Sequence, residues 1–176
     1  LNDKDVASDF IYLIDDKNKY FQNPNFCERV IFNYNLLALP KPGKDNKVEY
    51  LNNLRKMVFL ESEKYSKNND LNPSSVFTII EFIFKKTASD FYNITVKDNY
   101  FFDDIFLLSG TILEPQRRYI IEKLKSKEFR KKKVLLISTQ VVEAGVDIDM
   151  ELGFKDKSLI DSEEQLAGRI NRNVKK

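Results

Sequence analysis

Residues 76–82 read VFTIIEF, seven positions of which only Thr78 and Glu81 are polar. The run shows no alternation of apolar and polar residues, so it does not describe a strand with one wet face. A strand that is apolar throughout is what a parallel sheet covered on both faces produces. VFTIIEF leads into KTASDFYNI, where Thr87 is placed to cap a helix. The rhythm of apolar run, turn and helix then recurs. IFLLSG (105–110) leads into EPQRRYIIEKLKS, with Pro115 suited to the first helical turn. VLLIS (134–138) leads into TQVVEAGVDID, and MELGF (150–154) leads through a loop into a final helix.

These units predict an α/β domain of three layers, with a mainly parallel sheet and helices on both faces. In such sheets ligands bind where the carboxyl ends of the strands meet loops and helix N-termini, which puts Ser109, Gly110, Thr139 and Gln140 on the functional edge. Upstream, Leu51, Leu54, Val58 and Tyr65 form one stripe of a long helix over about 48–67. ALPKPGKDNK (38–47), rich in proline, glycine and charge, reads as a linker. Val30, Phe32, Tyr34 and Leu36 alternate as in a strand, and Val6, Phe10, Ile11 and Ile14 are spaced as on a short helix over 5–14. The expected organisation is a leading segment 1–37, a linker 38–47 and the main domain 48–176.

Composition narrows the chemistry. A chain of 176 residues can close a hydrophobic core without staples, and its one cysteine, Cys27, cannot form an internal disulfide, which suits a reducing, cytoplasmic setting. The sequence contains no histidine. Zinc patterns, Ser/His/Asp and Cys/His nucleophiles and histidine-ligated metal nucleases are therefore excluded, and no metal site is expected. The apolar runs are too short and too interrupted to cross a bilayer, and LNDKDVASDF at the start is acidic, unlike a signal peptide. Beginning on leucine, the chain is expected to be a piece of a longer polypeptide. The net charge of +2 announces no nucleic-acid partner by itself. Basic residues nevertheless crowd the stretch from Arg117 to Lys133, either as a solvated helix face or as a patch facing phosphate.

Two stretches could carry chemistry. In STQVVEAGVDID (138–149), Thr139 sits at a strand end where a hydroxyl and free N–H groups can meet a phosphate oxygen, Gly145 suits a close backbone approach, and Asp147 and Asp149 bring carboxylates. Helix capping and turn solvation account for the same residues equally simply. In EEQLAGRINR (163–172), Ser162 to Gln165 can form a capping box, and acids early with arginines late suit the helix dipole. On a helix, Arg169 and Arg172 would lie one above the other, and arginine is suited to gripping phosphate oxygens bidentately.

Together these stretches resemble motifs V and VI of the superfamily 2 helicases, and the wording TQVVEAGVDID is particularly similar to the CRISPR-associated helicase-nucleases of type I systems. SSVFTIIEFIFKKTASDFY occupies the place of that family's motif IV, without the asparagine–threonine pair often found there. FLLSGTILEPQRR resembles the strand and arginine-bearing helix that follow, and NPNFCERVIFNYNLL resembles the exit from the first motor domain. The sequence has no G-x-x-x-x-G-K-S/T and no D-E-x-D/H at a strand end. The resemblance therefore implies a second RecA-like motor domain.

What it implies about residues follows the motifs. Arg169 and Arg172 would face the γ-phosphate of ATP, Arg172 as the arginine finger, with Gln165 near the reacting end. Asp147 and Gly145 would lie on the nucleotide side, and Thr139, Gln140, Ser109 and Gly110 on the DNA backbone. ATP and Mg2+ are implied for the intact enzyme. The implied partners are the first RecA-like domain of the same polypeptide, single-stranded DNA and a CRISPR RNA-guided surveillance complex. Without a phosphate loop, magnesium carboxylates or nuclease histidines, the isolated chain is expected neither to hydrolyse ATP nor to unwind or cut DNA. Two other readings stay open: a motor of the same superfamily acting on RNA, and a non-catalytic α/β module that binds a partner protein.

Overall fold

A computed structural model of the chain describes residues 30–31, 33–39, 43, 45–70, 72–139, 148–156 and 166–171. All of these except Val30 and Ile31 belong to one unit, Phe32–Lys176. Among the described residues its strands are β1 (Val76–Phe82), β2 (Asp104–Leu108), β3 (Lys133–Thr139) and β4 (Leu152–Lys155). The α-helices described in full are α1 (Lys47–Lys67), α2 (Lys85–Lys97) and α3 (Glu114–Lys125), with short 3-10 turns at Asn35–Ala38 and Phe129–Lys131, and Leu166 and Ala167 are also helical.

The four strands are parallel, in the order β2-β3-β1-β4. Val76 to Phe82 pair with Lys133 to Thr139 along the whole of β1, and Thr78 to Glu81 pair on the other side with Leu152 to Lys155. All seven side chains of β1 are buried, as a central strand between two helical layers requires. On one face Val76, Ile80 and Phe82 share a core with Leu135, Ile137 and Phe154, with Leu51, Leu54, Val58 and Phe59 of α1, and with Ala88 and Phe91 of α2. On the other face the Phe129 ring lies 6.2 Å from Phe77 and 5.9 Å from Phe106, Ile120 and Leu124 of α3 are buried, and Gly153 meets Leu166 and Ile170. The three-layer arrangement predicted from the strand pattern is thus the observed one.

Burial in a parallel sheet obliges the two polar residues of β1 to find partners. Thr78 Oγ1 meets Ser62 Oγ of α1 at 2.9 Å. Glu81 pairs with Lys155 on β4, the neighbouring residue in the ladder, and the two side chains are only 3% and 10% exposed. Phe59 anchors the join between α1 and the approach to β2, its ring 5.0 Å from Tyr100 and 5.1 Å from Phe102.

Several local expectations give way. The alternation from Val30 to Leu36 does not make a strand, because Asn35–Ala38 turns as a 3-10 helix. Leu36 and Leu39 pack against the core from that turn and the residue after it. Thr87 is not a cap: α2 starts at Lys85 behind an extended Phe84, which places Thr87 inside the first turn. Pro115 does occupy the first turn of α3. The basic stretch is largely absorbed locally. Arg118 bonds Glu114 at 3.2 Å, Lys132 bonds Asp104 at 2.9 Å, and Arg130 lies 4.3 Å over the Phe77 ring. The helix predicted over 5–14 lies outside the described residues.

Two measurements probe this core. Phe59→Ala empties an aromatic site that is 1% exposed and is expected to cost about 3–5 kcal/mol in urea unfolding of the domain. The second concerns Tyr50 of α1. Burial first, and then the charge and hydrogen bond of Asp156, push its hydroxyl from 10.0 up to about 12. The unfolded chain releases this proton first as pH rises, so the stabilisation is present below the ordinary tyrosine value and is lost as pH climbs through about 12. Tyr50→Phe should flatten the alkaline decline in unfolding free energy, and a slope equal to that of the unsubstituted domain would count against the Tyr50–Asp156 link. Tyr65 is raised in the same direction, by burial and then by Glu151 and Asp149, so part of the decline should survive the substitution.

Candidate functional site

The parallel sheet sends every strand toward one carboxyl edge, and the described candidates for strand contact gather there. Leu108 pairs with Ser138, so Ser109 and Thr139 come level on adjacent strands. Ser109 is 8% exposed, and its hydroxyl meets Thr111 Oγ1 at 3.0 Å in the turn that Ile112 N–H closes onto the Ser109 carbonyl at 3.1 Å. Gly110 is exposed at the tip of that turn. Thr139 is the last residue of β3 and 3% exposed. Its hydroxyl, like that of Ser138, finds no hydrogen-bond partner among the described residues. A buried hydroxyl without a partner is uncommon in a finished core and suits a position that receives one from outside.

Glu81, Lys155 and Asp156 lie at the same edge, where Asp156 N–H donates to the Glu81 carbonyl at 2.8 Å. The buried Glu81–Lys155 pair was not singled out from the sequence. A lone glutamate inside an apolar parallel strand was the available signal, since a buried charge demands a partner. Phe84, just beyond β1, is 67% exposed, next to the place where the resemblance leads one to expect an asparagine–threonine pair.

Arg169 is somewhere else. Its carbonyl accepts from Met150 N–H at 2.9 Å, and the Met150 carbonyl accepts from Asn171 N–H at 2.8 Å. Met150 precedes β4, and Glu151 N–H donates to the carbonyl of Phe77, the second residue of β1, at 2.9 Å. The backbone of Arg169 therefore lies at the amino end of the sheet, not beside Thr139 and Ser109. Nor is it helical. Helix geometry ends at Ala167, turns follow at Gly168 and Arg169, and Ile170 makes a parallel bridge with Met150. The helical placement of Arg169 is corrected accordingly: Ile170 makes a bridge to Met150 that a continuing helix would forbid.

A polar cluster surrounds this end. The Glu151 carboxylate accepts from Phe77 N–H at 2.9 Å and from the Asn69 amide at 3.2 Å. Burial pulls the Arg130 guanidinium below its usual value, against the opposing pull of Asp149 and Glu151. Gln165, Arg172, Gly145, Asp147 and Gln140 lie outside the described residues. Among the described residues no group of three or more metal-ligating side chains could hold an ion, and no helix is long and apolar enough to cross a membrane.

Comparison with known proteins supplies the family. The family described as CRISPR-associated nuclease/helicase Cas3, C-terminal, matches residues 82–175. A CRISPR-associated nuclease/helicase Cas3 of Methanothermobacter thermautotrophicus is 40% identical over 70 residues, which is 40% of this chain and 8% of that protein. Among solved structures, T. fusca Cas3 with ADP aligns at a TM-score of 0.55 and 21% identity over 69% of this chain. T. fusca Cas3 in a second crystal structure aligns at a TM-score of 0.51 and 25% identity over 68%. The chain spans 14% of the length of each of these two structures. The chain belongs to the Cas3 C-terminal family of CRISPR-associated nuclease/helicases, as a second RecA-like motor domain.

Proposed function

We propose that this domain is the arginine-bearing half of an ATP-driven motor that moves along single-stranded DNA in CRISPR defence. The observation that carries the reading is the family match over 82–175, which contains both STQVVEAGVDID and EEQLAGRINR. The other half is a first RecA-like domain, which supplies the phosphate loop and the carboxylates for Mg2+ that this sequence lacks. Arg169 and Arg172 face the γ-phosphate, with Arg172 as the finger, Gln165 near the reacting end, and Gly145 and Asp147 on the nucleotide side. Arg169 suits that ligand: it is a half-buried residue in a turn, and guanidinium groups match phosphate oxygens. Bound ATP supplies the phosphoryl group whose transfer needs charge stabilisation and positioning more than covalent help. The T. fusca structure with ADP supports a nucleotide as the ligand of the whole enzyme.

Thr139, Gln140, Ser109 and Gly110 hold the DNA backbone at the carboxyl edge. The orphaned Thr139 hydroxyl and the exposed Gly110 turn favour a phosphate there, since a motor that steps along a strand should grip backbone and ignore sequence. A CRISPR RNA-guided surveillance complex is the natural source of the strand, and the bacterial or archaeal cytoplasm is the setting.

In the two-domain motor, Arg172→Ala should lower DNA-stimulated ATP hydrolysis by a factor on the order of a thousand while leaving single-strand binding largely intact. Unchanged turnover would remove Arg172 from the finger role. Greater stimulation by single-stranded RNA than by DNA would favour an RNA motor. The isolated chain should show no turnover above that of an Arg172→Ala preparation.

A further inference from the structure

We infer that Gly153, Met150 and Glu151 form a rigid mount that positions the arginine segment, so that β4 and its approach set the rate of hydrolysis without touching nucleotide. The inference rests on the arginine reading of the preceding section and deepens it. The mount has three parts. Met150 holds the segment by its backbone, donating to the Arg169 carbonyl at 2.9 Å and accepting from Asn171 N–H at 2.8 Å. These two bonds bracket Ile170, and the chain then leaves through Asn171 in the left-handed conformation, φ 46°. Asparagine tolerates that conformation better than most residues, and Arg172 is the next residue in the sequence.

Glu151 fixes Met150 in turn. Its N–H donates to the Phe77 carbonyl, and its carboxylate accepts from Phe77 N–H and from the Asn69 amide, which itself also donates to the Ser75 carbonyl at 3.1 Å. Both backbone groups of Phe77 are thereby tied to one residue. Phe77 is in the fully buried central strand and is 0% exposed. The arginine segment is thus tied through two residues to the fully buried central strand of the sheet.

Gly153 sets the distance. A Cβ at this position would lie 2.9 Å from Ile170 Cδ1 and 3.2 Å from Ile170 Cγ1, with Leu166 Cδ2 at 3.7 Å. Glycine lets the turn pack this closely on β4, where Ile170 and Leu166 are buried. A methyl group there must either turn the Ile170 side chain, which leaves the backbone in place, or, where its buried surroundings resist that, push the segment outward, which moves the residues on both sides of Ile170. Because a transition-state contact decays steeply with misplacement, the consequence should fall on kcat, with nucleotide and strand affinity little changed.

The test uses the two-domain motor with Gly153→Ala, Gly153→Ala/Ile170→Val, Glu151→Gln, Arg169→Ala and Arg172→Ala. DNA-stimulated hydrolysis, KM for ATP, single-strand binding and thermal unfolding are measured for each. Gly153→Ala should lower kcat by roughly ten- to a hundredfold with KM and strand binding within about twofold. Ile170→Val removes Cδ1, so the double variant should recover most of kcat. Glu151→Gln keeps the shape but cannot accept both N–H groups as a carboxylate does, and should lower kcat in the same selective way; it serves where Gly153→Ala impairs folding. Collapse in the arginine variants with unchanged kcat in Gly153→Ala and Glu151→Gln, or loss that Ile170→Val does not repair, overturns the mount and leaves the arginine reading standing. Unchanged kcat in both arginine variants overturns the arginine reading and the mount with it.

Discussion

The structure depends on the two-sided hydrogen bonding of β1. Its whole length pairs with β3 and its middle pairs with β4, while helices cover both faces, so that water reaches neither its backbone nor its side chains. Every polar group on it must therefore be satisfied within the protein. Thr78 finds Ser62, Glu81 finds Lys155, and the backbone of Phe77 finds Glu151. Each of these bonds ties a different peripheral element to the same strand: α1, the end of β4, and the approach to β4.

The same constraint separates the two ends of the domain. Thr139 and Ser109 lie at the carboxyl edge, and Arg169 lies level with the beginning of β1. Seven residues of strand span about 20 Å, too far for one group of contacts. In the proposed function a motor holds a strand and a phosphate at different places, and the groups proposed for the two would sit on one sheet. Under that proposal, displacing β1 relative to a neighbouring domain would move both together, a physical route from phosphate chemistry to motion along a strand.

Much of this was legible because it follows from burial. VFTIIEF and VLLIS read as strands covered on both sides, because short, mostly apolar runs rich in β-branched and aromatic residues, set between helices, fit a buried parallel strand. α1 was readable from the stripe of Leu51, Leu54 and Val58, because one buried helical face repeats at helical spacing. Val30 to Leu36 misled for the converse reason. Alternation over a few residues is a weak signal, and Leu36 packs against the core from a 3-10 turn instead. Gly153 was not recognisable as special, since the atom it makes room for belongs to Ile170, seventeen places on.

The amino-acid sequence alone determined the three-layer class, the positions of the four strands and the presence of two arginines in Q-x-x-G-R-x-x-R. Local periodicity and residue chemistry suffice for those. Tertiary structure decided that the helix carrying the motif stops at Ala167, that Ile170 pairs with Met150, and that Arg169 stands at the opposite end of the sheet from Thr139. A capping box and dipole-matched charges make a longer helix locally reasonable, each worth on the order of 1 kcal/mol or less. Burying Leu166 and Ile170 against Gly153 and adding two backbone bonds to Met150 is worth more, and those partners become neighbours only when the sheet has formed.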